Sequence, residues 1–318
     1  MLPEYKADPR RMALHIPADC MSLQIQTTTA CNARCRFCPH TDYYEGKETG
    51  MMQEALFLRI LEEVKEYRFY KVMPYLQNEP LCDPRIGWFL GRMKEMLKYD
   101  HMEISVNPAA LSHHASEELA RVLSDTPHEI RVSFHGINAE SFEKNMGIPF
   151  SLSLEHVLHF LAVAQENGLK VMIKGLGMPR SEGCWDVKMF SEEQFLAFWE
   201  FQCQSHGIHF DGIDFRYGMF HNRSDYVSGI QKGERIVRDS LEGFYCSRVN
   251  KWFHFLFDGT MILCCNDYNR ETAFGNIRNQ SLQDILQGEA YSRLNGQVLG
   301  RQPCPPDFIC KRCTSVGG

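Results

Sequence analysis

Between residues 22 and 218 short apolar runs alternate with stretches of helical periodicity. That alternation is the signature of parallel strands joined by helical crossovers. Strands are expected at SLQIQTTT (22–29), YKVMPYLQ (70–77), HMEISVN (101–107), EIRVSFHG (129–136), LKVMIKGLG (169–177) and FDGIDFRYG (210–218). Helices are expected between them, at 52–67, 85–99, 116–123, 151–168 and 191–207. In the first helix Leu56, Ile60, Leu61 and Val64 share one face. The last two end in Gly168 and Gly207, the usual C-terminal stop. Periodicity does not decide whether such a sheet closes. In open and closed forms alike, functional groups gather at the carboxyl ends of the strands.

Near residue 220 the rhythm changes. Residues 221–240 are polar and read as a linker with a short helix. WFHFLFDGTMILCC (252–265) places two apolar runs around Asp258-Gly259, a strong hairpin signal. A helix capped by Ser281 is expected over 281–296, and the tail PCPPDFICKRC (303–313) reads as irregular. The expected organisation is an N-terminal extension (1–21), a core (22–220), a linker (221–240) and a small second domain (241–318).

The net charge of −6 gives no general basic field for nucleic acid or anionic lipid. There is no apolar run long enough to span a bilayer and no signal-peptide core, so the expected compartment is the cytoplasm. Thirteen cysteines are many for a reducing compartment, and clustered ones there point to metal or redox chemistry.

Three of them, Cys31, Cys35 and Cys38 in CNARCRFCPH, lie within eight positions directly after the first predicted strand. Three thiolates suit a metal or cluster that keeps one position open, whereas closed structural sites use four. The alternative is a zinc site with His40 as fourth ligand.

The C-x3-C-x2-C loop, with Phe37 before its third cysteine, resembles that of the radical S-adenosylmethionine (SAM) superfamily. The resemblance implies that Cys31, Cys35 and Cys38 hold a [4Fe-4S] cluster whose fourth iron chelates SAM. QNEPL looks like the family's element after the second strand, so Asn78, Glu79 and Pro80 would receive the SAM ammonium, with Asn78 in place of a glycine. Asn107 in ISVNP looks like the third-strand element, and Ser133 in RVSFHG like the fourth, near the SAM ribose or carboxylate. Asn107 and Ser133 are equally placed to cap strand ends. The implied fold is a partial (β/α)6 TIM-type barrel. The implied chemistry is reductive cleavage of SAM to a 5′-deoxyadenosyl radical, with an electron from an external donor such as flavodoxin or ferredoxin.

Cys246 and Cys264 follow C-x12-G-x4-C around Gly259, and Cys310 and Cys313 form a C-x2-C pair. A hairpin and a tail can bring four such thiolates around a second cluster or a structural zinc. With FGNIRNQSLQDIL after it, the pattern is similar to the SPASM/Twitch extension of radical SAM enzymes, here a small Twitch domain of β-hairpin plus helix. The resemblance implies one auxiliary [4Fe-4S] cluster on Cys246, Cys264, Cys310 and Cys313, with Cys265 and Cys304 as substitutes. Cys20, Cys82, Cys184 and Cys203 are expected to be ordinary buried thiols.

The layout is similar to radical SAM dehydrogenases that oxidise a cyclitol alcohol to a ketone. It implies that Arg223, in FHNRSDY beside His221 and Tyr226, faces a small-molecule substrate, unless it belongs to a charged linker. His135 is a second candidate, equally suited to a structural role. Neither nucleic acid nor membrane is an expected partner. Two other classes remain: modification of a ribosomal peptide, against which the short segment before the first strand counts, and a non-catalytic iron–sulfur protein, against which Glu79 beside an intact cysteine loop counts.

Overall fold

The computed structural model describes residues 21–46, 49–177, 190–219, 223–224, 226–227, 238–244, 246, 248–249 and 251–313. The N-terminal extension before Met21, most of the 221–240 linker, His221, Cys20 and Cys184 lie outside the described residues. Strands β1 (Met21–Ile25), β2 (Arg68–Met73), β3 (Lys98–Val106), β4 (His128–Ser133), β5 (Val171–Gly177) and β6 (Ile213–Met219) are parallel neighbours in that order. Between them run α1 (His40–Tyr44), α2 (Glu54–Val64), α3 (Ile86–Met96), α4 (His113–Leu123), α5 (Ala139–Met146), α6 (Phe150–Asn167) and α7 (Glu192–Ser205).

The strands alternate as a pleated surface requires. Leu23, Ile25, Val72, Ile104, Ile130, Val132 and Ile173 belong to one buried cluster with the α2 stripe Leu56, Phe57, Ile60, Leu61 and Val64. Residues of opposite parity, Gln24, Ser105, Arg131, Ser133 and Lys174, line a cavity on the other face. In register, Ser105 pairs with Arg131, and Ser133 with Lys174, so two neighbouring polar rungs, joined along β4, span three strands.

Helix ends follow local chemistry. Ser191 and Gln194 form a reciprocal capping box at the start of α7. Gly168 closes α6 at φ +64°, a left-handed cap that glycine adopts without a Cβ clash. Strand β3 begins at Lys98, inside the stretch expected to be helical, because Leu97 turns extended and Lys98 pairs with Arg68.

The predicted hairpin is β7 (Trp252–Phe255) and β8 (Thr260–Ile262), with Gly259 at φ +86° in its turn. It does not stand apart from the core. β7 pairs in parallel with β1, Gln24 opposite His254, and β8 pairs with β9 (Ala273–Asn276), so the C-terminal part extends the core sheet to nine strands. The helix expected over 281–296 is two, α8 (Leu282–Gln287) and α9 (Glu289–Val298). They break at Gly288, which is extended at ψ 155°. The tail, expected to be irregular, contains α10 (Ile309–Arg312). Among the described residues no single helix is long and apolar enough to cross a membrane.

Candidate active site

The cysteine loop leaves β1 at its carboxyl end and is pinned by backbone bonds. Thr29 N donates to Gly50 O at 2.8 Å, Arg34 N to Met146 O at 2.9 Å and Arg36 N to Asn145 O at 3.1 Å. The end of α5 therefore holds the loop in place. His40 Nε2 lies 2.8 Å from the Thr29 carbonyl. That nitrogen is a donor there and is unavailable as the fourth ligand of a zinc site.

Cys31, Cys35 and Cys38 all face one cavity of about 300 Å³. Burial raises the Cys31 and Cys35 thiols well above their ordinary range, and neighbouring negative groups, Glu79 beside Cys31 and Cys38 beside Cys35, raise them further. Such thiols ionise together only against a bound cationic centre, and their common exposure to the cavity fits an iron–sulfur cluster. Among the described residues no three His, Cys, Asp or Glu side chains are close enough to share a single metal ion. Cys82, expected to be an inert buried thiol, is half-buried beside this loop and raises Cys31 as well; Cys203 is buried as expected.

Phe37, Asn78, Glu79, Asn107, Ser133, His135 and Arg223 line the same cavity, so residues from distant parts of the chain come together there. Pro80 does not line it: it is buried and opens the short turn Pro80–Cys82 behind the wall. Glu79 is held from several sides. Its carboxylate accepts from Asn107 N at 2.6 Å, Asn107 Nδ2 at 3.0 Å and Leu81 N at 3.0 Å. The Asn107 side chain also donates to Asn32 Oδ1 at 2.6 Å and accepts from Ala110 N at 3.2 Å, so it orients Glu79 and caps its own turn. Asn78 Oδ1 accepts from Leu76 N at 3.0 Å. Its Nδ2, buried and without a partner, is an orphan donor on a residue of the cavity wall.

Two charged residues that no motif revealed also shape the cavity: Glu103 holds Arg131 of its lining, and Lys174 lines it. Glu103, buried, binds Lys71 at 2.5 Å, Arg131 at 2.8 Å and the Tyr75 hydroxyl. Lys174 opens to the cavity, and burial followed by the charges of Arg223 and Arg131 lowers its amine. His135 is buried, packs edge-on against Phe37 at 5.0 Å and donates from its backbone N to Met146 Sδ. Burial, then Lys174 and Arg223, depress its imidazole to about 3, so it is neutral in the ordinary pH range. Arg223 and Ser224 occupy left-handed backbone at φ +49° and +58°, strained for residues with a Cβ. A lysine at the centre of an apolar strand was the one signal in the sequence for Lys174.

The second set of thiols lies against this site. Cys265, Cys264, Cys246 and Cys313 all raise the neighbouring Arg248 guanidinium. Cys246, Cys313 and Cys304 in turn oppose ionisation of Cys310. Arg238 fixes the C-x2-C turn by donating to the carbonyls of Cys310 and Cys313. Cys265 lines the first cavity. Tyr268 lines it too, with its hydroxyl 3.6 Å from Cys38 Sγ.

Thiols that open onto a cavity, instead of enclosing their own site, define a class of enzyme in which an iron–sulfur cluster works on a bound cosubstrate. The family model of the radical SAM superfamily matches residues 25–185, half of the chain, and the chain belongs to that superfamily. The SPASM iron–sulfur cluster-binding domain matches residues 246–314. It follows that the protein is a radical SAM enzyme that binds a [4Fe-4S] cluster, SAM and an auxiliary iron–sulfur cluster. A curated relative, the S-adenosyl-L-methionine-dependent 2-deoxy-scyllo-inosamine dehydrogenase of Niallia circulans, is 20% identical over 297 residues, 92% of each chain. Among solved structures, BtrN in complex with AdoMet and 2-DOIA aligns with TM-score 0.58 and 16% identity, covering 93% of this chain and 94% of that one. Streptococcus suis SuiB bound to precursor peptide SuiA aligns with TM-score 0.67 and 15% identity, covering 97% and 78%.

Proposed function

We propose that the enzyme carries out a two-electron oxidation of a small polar alcohol, a sugar or cyclitol, to a ketone. The observation that carries this reading is the polar lining of the cavity that the thiols share. Tyr75, Ser105, Arg131, Ser133, His135 and Lys174 offer hydroxyl, imidazole and cationic groups, suited to a polyhydroxylated molecule. The Niallia circulans relative, named for a cyclitol amine, supports the same class.

In this reading Cys31, Cys35 and Cys38 hold the first cluster, and Cys246, Cys264, Cys310 and Cys313 the auxiliary one. SAM sits against Phe37, Asn78, Glu79 and Ser133, and a flavodoxin or ferredoxin supplies the electron for its cleavage. When bound, the first cluster and SAM supply a radical that removes the carbinol hydrogen. Loss of the hydroxyl proton and one electron from the resulting carbon radical completes the ketone; the auxiliary cluster would take the electron, a reading supported by Cys265, next to its ligand Cys264, lining the same cavity. Arg223 serves as a hydrogen-bond donor to substrate oxygen. His135, with its depressed basicity, is a poor proton acceptor. Lys174, whose amine is lowered by burial and by Arg223, takes the hydroxyl proton in its neutral form.

The test is anaerobic incubation of the reconstituted enzyme with SAM, dithionite and a panel of cyclitols, sugars and peptides. Equal amounts of 5′-deoxyadenosine and ketone from a cyclitol or sugar are expected. Turnover of peptides alone would replace this reading with modification of a ribosomal peptide, the activity class suggested by the likeness to SuiB. Lys174→Gln is expected to lower ketone formation by about 10²- to 10⁴-fold, the usual contribution of a positioned base, while 5′-deoxyadenosine still forms.

Glu79 gives a separate prediction. A charge-assisted hydrogen bond contributes about 1.5–3 kcal/mol, so Glu79→Gln should weaken SAM binding by about 10- to 100-fold in equilibrium dialysis. Burial pushes the Glu79 carboxyl up to about 8. The SAM ammonium prefers the carboxylate to the acid, so below that pH binding must expel a proton. Affinity should therefore rise with pH up to about 8 and then level off, and Glu79→Gln should abolish that rise.

A further inference from the structure

Tyr268 reaches the first site from the far end of the chain. Its hydroxyl is 3.6 Å from the sulfur of Cys38, a residue 230 positions earlier. The side chain is 7% exposed and lines the same cavity as the three thiols. Its ring stands edge-on to Tyr43 at 6.1 Å, with the Tyr226 ring at 6.3 Å.

The segment that carries Tyr268 is held rigidly. Gln77 Nε2 donates to the carbonyls of Cys265 at 3.2 Å and Asp267 at 3.0 Å. The Asp267 carboxylate accepts from Thr272 N at 2.7 Å, Thr272 Oγ1 at 2.6 Å and Glu271 N at 2.9 Å. Gln77 immediately precedes Asn78 and Glu79, so one amide ties the SAM-facing turn of the core to the C-terminal segment. A contact built this way has a fixed geometry and makes no entropic demand when the site fills.

We propose that Tyr268 is a positioning residue that donates a hydrogen bond from its hydroxyl to the Cys38 sulfur and thereby raises the reduction potential of the SAM-cleaving cluster. A cluster-bound thiolate carries no proton, which leaves the phenol as the donor. Hydrogen bonds to cluster sulfurs are one of the levers by which a protein sets such potentials. The hydroxyl draws electron density from the sulfur and favours the reduced state. The five residues Cys264 to Tyr268 thus run from an expected auxiliary ligand to the hydrogen-bond partner of a first-cluster ligand, Cys38, so the C-terminal part governs how readily the first cluster is reduced. The inference rests on Cys38 as a cluster ligand and not on the substrate class.

The test is an EPR-monitored redox titration of the anaerobically reconstituted full-length protein, reading the signal that changes when SAM is added. Tyr268→Phe removes one oxygen and keeps the ring. At a fixed solution potential its reduced-to-oxidised ratio is expected to fall about tenfold, equivalent to 59 mV for a one-electron couple. Tyr226→Phe is the control. It removes a hydroxyl that bonds Glu271 at 2.6 Å on the adjacent ring, and it should leave the midpoint unchanged. An unchanged midpoint in Tyr268→Phe with full iron content would overturn the proposal, as would an equal shift in both variants. Should Tyr268→Phe fail to hold iron, a fluorotyrosine at position 268 keeps ring and hydroxyl and makes the phenol a stronger donor. Its midpoint must then rise, and an unchanged one rejects the proposal.

Discussion

Cys31→Ala/Cys35→Ala/Cys38→Ala protein is expected to form no 5′-deoxyadenosine from SAM and dithionite, a loss of at least about 10⁶-fold for chemistry of this kind. The thiols make only weak contacts within the fold, among them Cys35 Sγ with the Met146 carbonyl at 3.9 Å and Cys38 Sγ with the Tyr268 hydroxyl at 3.6 Å. The loop that carries them is fixed by its backbone, through Thr29 to Gly50 and through Arg34 and Arg36 to the end of α5. Alanine removes the sulfur and leaves those bonds intact. Circular dichroism of the variant should therefore match the wild type, and chromatography of the reaction mixture should show SAM alone. Retained 5′-deoxyadenosine formation would place the SAM-cleaving cluster elsewhere.

Cys310→Ala/Cys313→Ala should separate the two halves of the reaction. SAM cleavage continues, because neither residue belongs to the first loop, but the ketone falls by about 100-fold or more. Disturbing only the outer shell of a metal site costs 10–100-fold, which sets about 100-fold as the floor for removing two ligands. The C-x2-C turn is anchored through its carbonyls to Arg238, so the backbone does not depend on the thiols. Product analysis would show 5′-deoxyadenosine in excess of ketone. A ketone yield equal to that of the wild type would mean that the electron leaves by another route.

What the sequence disclosed was local. The thiol spacing of the first loop, the Asp258-Gly259 hairpin and the six core strands are each written in residues close together along the chain. The contacts that organise the site are not. Helix α5, which bonds the cysteine loop through Asn145 and Met146, is only eight residues long, and those two bonds run from its backbone carbonyls, which no side-chain pattern discloses. The parallel pairing of β7 with β1 joins segments more than two hundred residues apart, and no local pattern announces it. Lys174 belongs to no motif, and Arg131 opens the RVSFHG run without a role that the run discloses; only the pairing of β4 with β5 brings their strands side by side. Asn107 was legible as a polar residue at a strand end, but its work in holding Glu79 emerges from distances. Pro80 shares the turn of Glu79 without sharing its face.

The most direct measurement is iron and acid-labile sulfide after anaerobic reconstitution, in the wild type and in Cys31→Ala/Cys35→Ala/Cys38→Ala. Two cubane clusters predict about eight irons and eight sulfides, falling to about four of each in the variant. About four falling to none, with zinc in the tail, would contradict the account: the C-terminal thiols would then be a structural knuckle, and the oxidation would have no electron acceptor within the protein.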